Sequence, residues 1–98
     1  MSKLTKASRG QPCSVRLPGV CNENPETTVL AHINGVRFGH GIGRKVNDLL
    51  AADCCSACHD ALDGRVETPF SRQGLKLMHY EGVMETILRR MNEGLIVV

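Results

Sequence analysis

The chain has 98 residues, which bounds it to one domain over residues 1–98, and its 12 basic and 10 acidic side chains leave a formal net charge of +2. Aromatic residues are scarce (Phe38, Phe70 and Tyr80, with no tryptophan), so the core is thin and a covalent or metal staple is expected. No apolar run approaches the ~18 residues that a membrane-spanning helix needs, and the basic N-terminus has no apolar segment behind it, so no signal peptide is expected. A cytoplasmic location follows as the expectation. In that reducing compartment five cysteines are expected as metal ligands rather than as disulfides.

Taken in chain order, residues 1–12 read as a flexible basic arm broken by Gly10 and Pro12. Cys13 to Leu17 alternates loosely, as a short strand would, and Pro18-Gly19 marks a turn before Cys21. Asn22 to Glu26 reads as a loop. Thr27 to Ile33 is rich in β-branched and apolar residues and predicts a strand carrying His32. Residues 34–45 form a loop with four glycines, His40 and the cations Arg37, Arg44 and Lys45. Asn47 or Asp48 can cap a helical turn over Leu49 to Ala52. Ser56, as N-cap, and Gly64, as stop, frame a short helix. Leu75, Met78, Val83, Ile87 and Met91 recur at helical spacing and predict a long C-terminal helix over 70–93, with Gly94 at its end. Strands followed by helices give an α+β class, a small zinc-stabilised domain with that long helix. His79 on the helix is read as a surface or core residue.

The cysteines carry the most specific signal. Cys55 and Cys58 are separated by two residues at the start of a helix, where both sulfurs face one cation and the helix N-terminus favours thiolates. Cys13 and Cys21 face each other across a turn as a second pair. Two such pairs suit a tetrahedral four-thiolate site, which zinc prefers, and a closed site is structural. Cys54 is read as a small buried apolar side chain, and it is the alternative to Cys55 as ligand. Basic residues in the glycine-rich loop suit phosphate, which makes DNA the expected partner.

The order of a cysteine pair, a histidine after Leu30-Ala31, a glycine-rich loop, Asn47-Asp48-Leu49-Leu50 and then Cys55-Ser56-Ala57-Cys58-His59-Asp60 resembles the zinc-bound branch of the HNH, or ββα-metal, endonucleases. Over most of the chain the match is closer to the YbcO-like prophage proteins, a family named for nuclease activity. Arg9-Gly10, Cys13, Pro18 to Asn22, Asn24 to Thr27, Leu30 to Ile33 and Cys55 to Asp60 carry it. The resemblance implies a ββα-metal fold and a metal-dependent DNA endonuclease of phage origin acting in a bacterial host. It implies His32 as general base, with His59 and Asp48 (or Asn47) holding a second divalent cation such as Mg2+ or Mn2+. Arg37, Arg44 and Lys45 would contact phosphates. Ala31 stands where many HNH enzymes carry an Asp or His ligand. The competing reading is a non-catalytic zinc module that binds DNA or a protein. A homodimer through the C-terminal helix is a further expectation.

Overall fold

The computed structural model describes residues 3–34, 37 and 47–97. In chain order these form α1 (Lys3–Ser8), β1 (Val29–His32), β2 (Ala51–Cys54), α2 (Ser56–Leu62) and α3 (Arg72–Asn92). The two strands pair antiparallel, with Val29 opposite Cys54, Leu30 opposite Asp53, Ala31 opposite Ala52 and His32 opposite Ala51. The α+β class and the long C-terminal helix stand as read from the sequence.

Three expectations of secondary structure differ. Cys13 to Leu17 is a turn rather than a strand, because its backbone is drawn around the Cys13 sulfur instead of into the sheet. Leu49 to Ala52 does not make a helical turn: Ala51–Cys54 is a strand, buried at every position. Alanine's helix preference is worth only tenths of a kcal/mol per residue, and pairing with β1 on one edge and packing under α3 outweigh it. Residues 3–8, read as part of a flexible arm, are helical, and Ser8 is buried against Asp53.

α3 lies across β2, and Gly82 sits at the closest approach. A Cβ there would meet Val15 Cγ2 at 2.8 Å, with Ala52 Cβ and Ser14 Oγ both at 3.3 Å. A stiff buried valine cannot give way easily, so the helix pays glycine's poor propensity in exchange for contact. Val15, Ala31, Ala52 and Val83 share the core with four of the five cysteines, while Cys21 packs against it half-exposed. Ser71 caps α3 by accepting from Gly74 N, and Gly94 follows the helix at a positive φ of 78°. α2 is capped by Cys55 rather than Ser56, because the Cys55 sulfur accepts from Cys58 N.

A polar knot lies inside this core. Asp53 on β2 is fully buried. Its Oδ1 accepts from Ser8 Oγ at 2.6 Å and from Arg90 Nη2, and its Oδ2 accepts from Arg89 Nη1 at 2.6 Å. Its backbone N donates to Thr86 Oγ1 at 2.9 Å and its carbonyl accepts from Ser14 N at 2.7 Å. One carboxylate therefore ties α1, β2 and α3 together.

Candidate metal centre and candidate active site

Cys13, Cys21, Cys55 and Cys58 lie with all four sulfurs within 4.8 Å of one another. Four thiolates at a Zn–S distance of about 2.3 Å would have sulfurs roughly 3.8 Å apart, and Cys55 Sγ lies 3.8 Å from Cys21 Sγ. The backbone is shaped for sulfur acceptors. Arg16 N donates to Cys13 Sγ, Leu17 N to Cys58 Sγ and Cys58 N to Cys55 Sγ, each at 3.4 Å. Arg16 holds a left-handed φ of 46°, an uncommon conformation for a residue with a side chain, while its guanidinium is fixed by Cys13 O at 3.3 Å and Glu85 Oε2 at 2.8 Å.

Electrostatics point the same way. Cys13 is held far below the usual thiol range, mainly by the Cys54 and Cys58 thiols that donate to it. Cys21 is pushed up to about 11, chiefly by burial, with the Cys13 charge adding to it. Cys58 is raised by its bond to Cys13. One thiolate thus forms at the expense of its neighbours, and four together require a cation between them. The donor set fits a soft divalent ion such as zinc. Cys55 rather than Cys54 completes the set. Cys54 is fully buried, and its thiol is held protonated by donating to Cys13 and Cys58.

The histidines gather at the other end of the strand pair. β1 alternates, so Ala31 faces the core and His32 the opposite side, half-exposed. His32 Nε2 lies 2.7 Å from Asp48 Oδ1, and Thr5 Oγ1 donates to Asp48 Oδ2 at 3.3 Å. An ionised carboxylate only accepts, so the pair places a proton on Nε2 and leaves Nδ1 of a neutral ring as the acceptor. Asn47 is turned elsewhere: its Oδ1 accepts from Leu49 N at 2.9 Å. His59, on α2, lies with Nε2 3.3 Å from Asp63 Oδ2. Arg37 is exposed, whereas Arg44, Lys45 and His40 lie outside the described residues.

His79, open from the sequence as a surface or core residue and given no role at the site, belongs to the core. This residue is buried on α3, and its Nε2 donates to Ala31 O at 2.8 Å, pinning the helix to the strand one residue from His32. Burial lowers its pKa first of all. The Ala31 bond and Asp63 oppose that, and positive charge on His59 or His32 adds to it. The three imidazoles are therefore electrostatic neighbours. The signal was available: position 79 falls on the stripe of Leu75, Val83, Thr86 and Arg90 that faces the core, and a polar residue in such a stripe needs a partner. Among the described residues, no second set of three or more ligand atoms gathers as tightly as the sulfurs do.

His79 gives the protein a pH dependence. The folded state holds it below its ordinary 6.5, so the unfolded chain binds the proton more readily. Its contribution to stability is complete above about 6.5 and falls away as the pH drops below that value, by at most about 1.4 kcal/mol per pH unit. His79→Gln keeps a donor for Ala31 O and does not titrate. Urea unfolding between neutral and mildly acidic pH, at fixed metal, should give a shallower decline for the variant than for wild type. Parallel declines would rule His79 out as the cause.

Comparison with known proteins accords with this geometry. The family profile described as "Putative nuclease YbcO" matches residues 2–95. The chain is 48% identical over 97 residues to "Putative nuclease YbcO" of Escherichia coli (strain K12), covering 98% of both, and equally to "Putative nuclease ybcO" of Enterobacteria phage 82. The solved "Structure of a putative bacteriophage protein from Escherichia coli str. K-12 substr. MG1655" superposes with a TM-score of 0.78 at 44% identity, covering 93% of this chain and 99% of that one. No helix among the described residues is long and apolar enough to cross a membrane. With near-complete coverage by profile and relatives alike, this chain belongs to the YbcO family, the one described as "Putative nuclease YbcO".

Proposed function

We propose that the protein is a metal-dependent endonuclease of phage or prophage origin that hydrolyses phosphodiester bonds in DNA, built as a ββα-metal domain of the HNH kind. The observation that carries this reading is the pairing of His32 Nε2 with Asp48 Oδ1 at 2.7 Å, on an accessible edge beside His59 and His79. Asp48 fixes the ring through Nε2, which leaves Nδ1 to take a proton from the attacking water. Zinc in the four-cysteine site is structural. A second, hard cation such as Mg2+ or Mn2+ would stabilise charge on the scissile phosphate and the leaving oxygen. His59 and Asp48 are the residues that would hold it. With Ala31 turned into the core, few protein ligands are offered, and Mg2+ commonly takes one or two carboxylates with phosphate and water as the remainder. Arg37, Arg44 and Lys45 would meet the DNA backbone. α3 leaves Leu77, Met84 and Leu88 exposed, which supports pairing of two copies through this helix.

The test is a nicking assay with Mg2+ or Mn2+ alongside metal analysis. Wild type should contain one zinc and cut DNA, and His32→Ala should lose about 10²–10⁴-fold in rate while keeping its zinc and its melting behaviour. A wild type that cuts no form of DNA would end the enzymatic reading. The absence of a second tight ligand cluster among the described residues favours one rival, a zinc-stabilised DNA- or protein-binding module. That module would bind DNA with a marked salt dependence and be indifferent to His32→Ala.

A further inference from the structure

A hollow of about 380 Å3 opens between the end of α2 and the first turns of α3. Leu62, Leu75 and Tyr80 give it an apolar floor, and Arg72 and Lys76 stand at its rim. His79, the residue bonded to Ala31 O beside His32, forms part of its wall. Arg72, Leu75, Lys76, His79 and Tyr80 recur at helical spacing, so a single face of α3 presents cations and apolar surface together.

The cations at this rim, unlike those of the core, are not neutralised. Arg16 is paired with Glu85, Arg65 with Asp60, and Arg89 and Arg90 with Asp53. Among the described residues, Arg72 and Lys76, like Lys3 and Lys6 on α1, have no acidic partner and no side-chain hydrogen bond, but only Arg72 and Lys76 flank a hollow with an apolar floor. Two unneutralised cations on one helix face attract an anion, while the apolar floor attracts a flat apolar body. A ligand that satisfies both has an anionic end and an aromatic or sugar end. The volume is at the low end for small-molecule pockets, which suits one such unit and no more. In a duplex the bases are stacked inside, and only phosphates would reach the rim. An unpaired nucleotide can lay its base on the floor, where stacking on an aromatic ring is tolerant of sequence.

We propose that this hollow receives one unpaired nucleotide of the DNA strand, with its base against Leu62, Leu75 and Tyr80 and its phosphate on Arg72 and Lys76. The substrate class is then single-stranded DNA, or a duplex with an unpaired or extruded nucleotide. Its place next to the cut rests on the nuclease reading above, but binding can be measured without added divalent cation.

The experiment compares a short labelled single strand with a blunt duplex of the same sequence by fluorescence anisotropy across a salt series. Wild type should prefer the single strand. The double variant Arg72→Ala/Lys76→Ala, exposed on a helix and expected to melt like wild type, should bind the single strand about tenfold more weakly. Its log–log salt slope should fall by about 1, and duplex binding, which has only the phosphate contacts at the rim to lose, should weaken clearly less than single-strand binding. Photocrosslinking of a 5-iodouracil-containing single strand should label the segment from residue 72 to residue 80. Equal binding of both DNA forms by wild type, equal weakening of both by the variant, or a crosslink mapping elsewhere would each overturn the proposal. A protein that cuts DNA yet shows any of these keeps its nuclease reading and loses the pocket. One that passes the binding tests but cuts nothing keeps the pocket and loses the nuclease.

Discussion

Cys58→Ser should leave the protein largely unfolded at neutral pH, and chelation of wild-type protein should do the same. Cys58 is fully buried, accepts from Leu17 N and lies in the sulfur cluster that joins the 13–21 turn to α2. A serine oxygen is a poor zinc ligand and too short to keep the span. Structural thiolate sites contribute on the order of 10–16 kcal/mol of apparent folding free energy in small zinc peptides. Whole domains are stable by about 5–15 kcal/mol. Loss of one ligand in four thus removes enough to abolish cooperative unfolding. The far-ultraviolet spectrum and a thermal melt of the variant, and of wild type titrated with a zinc chelator, read this directly. A Cys58→Ser protein with a wild-type melt and no bound metal would show that the thiols are merely core. Cys54→Ala should be much milder, since that sulfur donates to the cluster without joining it.

The second large effect is expected at Asp53. Asp53→Ala should cost about 3–5 kcal/mol, because it strands two guanidiniums, Arg90 being 2% exposed, and leaves them only the weaker company of Glu93, on Arg90 Nη1 at 3.0 Å, and Glu85, 4.0 Å from Arg89 Nη2. Breaking one side of a buried ion pair is far worse than removing both. The triple variant Asp53→Ala/Arg89→Met/Arg90→Met should therefore recover part of the loss. Urea denaturation of the two variants decides it. If Asp53→Ala were within about 1 kcal/mol of wild type, the knot would be ornamental, like most exposed ion pairs.

What could be read in advance depended on how local each cause was. The cysteine pairs were legible because their geometry is set within a few residues, by N–H groups that bond the sulfurs. His32 was legible as a strand residue because Thr27 to Ile33 carries β-branched residues in a run. β2 was not, because four small residues look helical until β1 and α3 enclose them. α1 escaped for a related reason: what holds it is Ser8 on Asp53, 45 residues away. Arg89 and Arg90 lie in the last turn of α3, where cations are common, yet both point at that same carboxylate. Asp53 itself was the missed clue, as the single acid in the run from Leu49 to Cys55. An acid in such company is buried, and a buried acid has cations over it.

The register of the two strands has a consequence for inorganic selectivity. At one extremity of the ladder Val29 faces Cys54, next to a cage made wholly of sulfur. At the other His32 faces Ala51, among imidazole nitrogens and carboxylate oxygens. Soft and hard donors are thereby segregated along a ribbon only four residues long, and thiolates hold zinc while oxygen-rich surroundings favour magnesium or manganese. Cobalt or cadmium exchanged into the sulfur cage would therefore serve as a spectroscopic reporter of folding that is separate from the imidazole end of the ribbon.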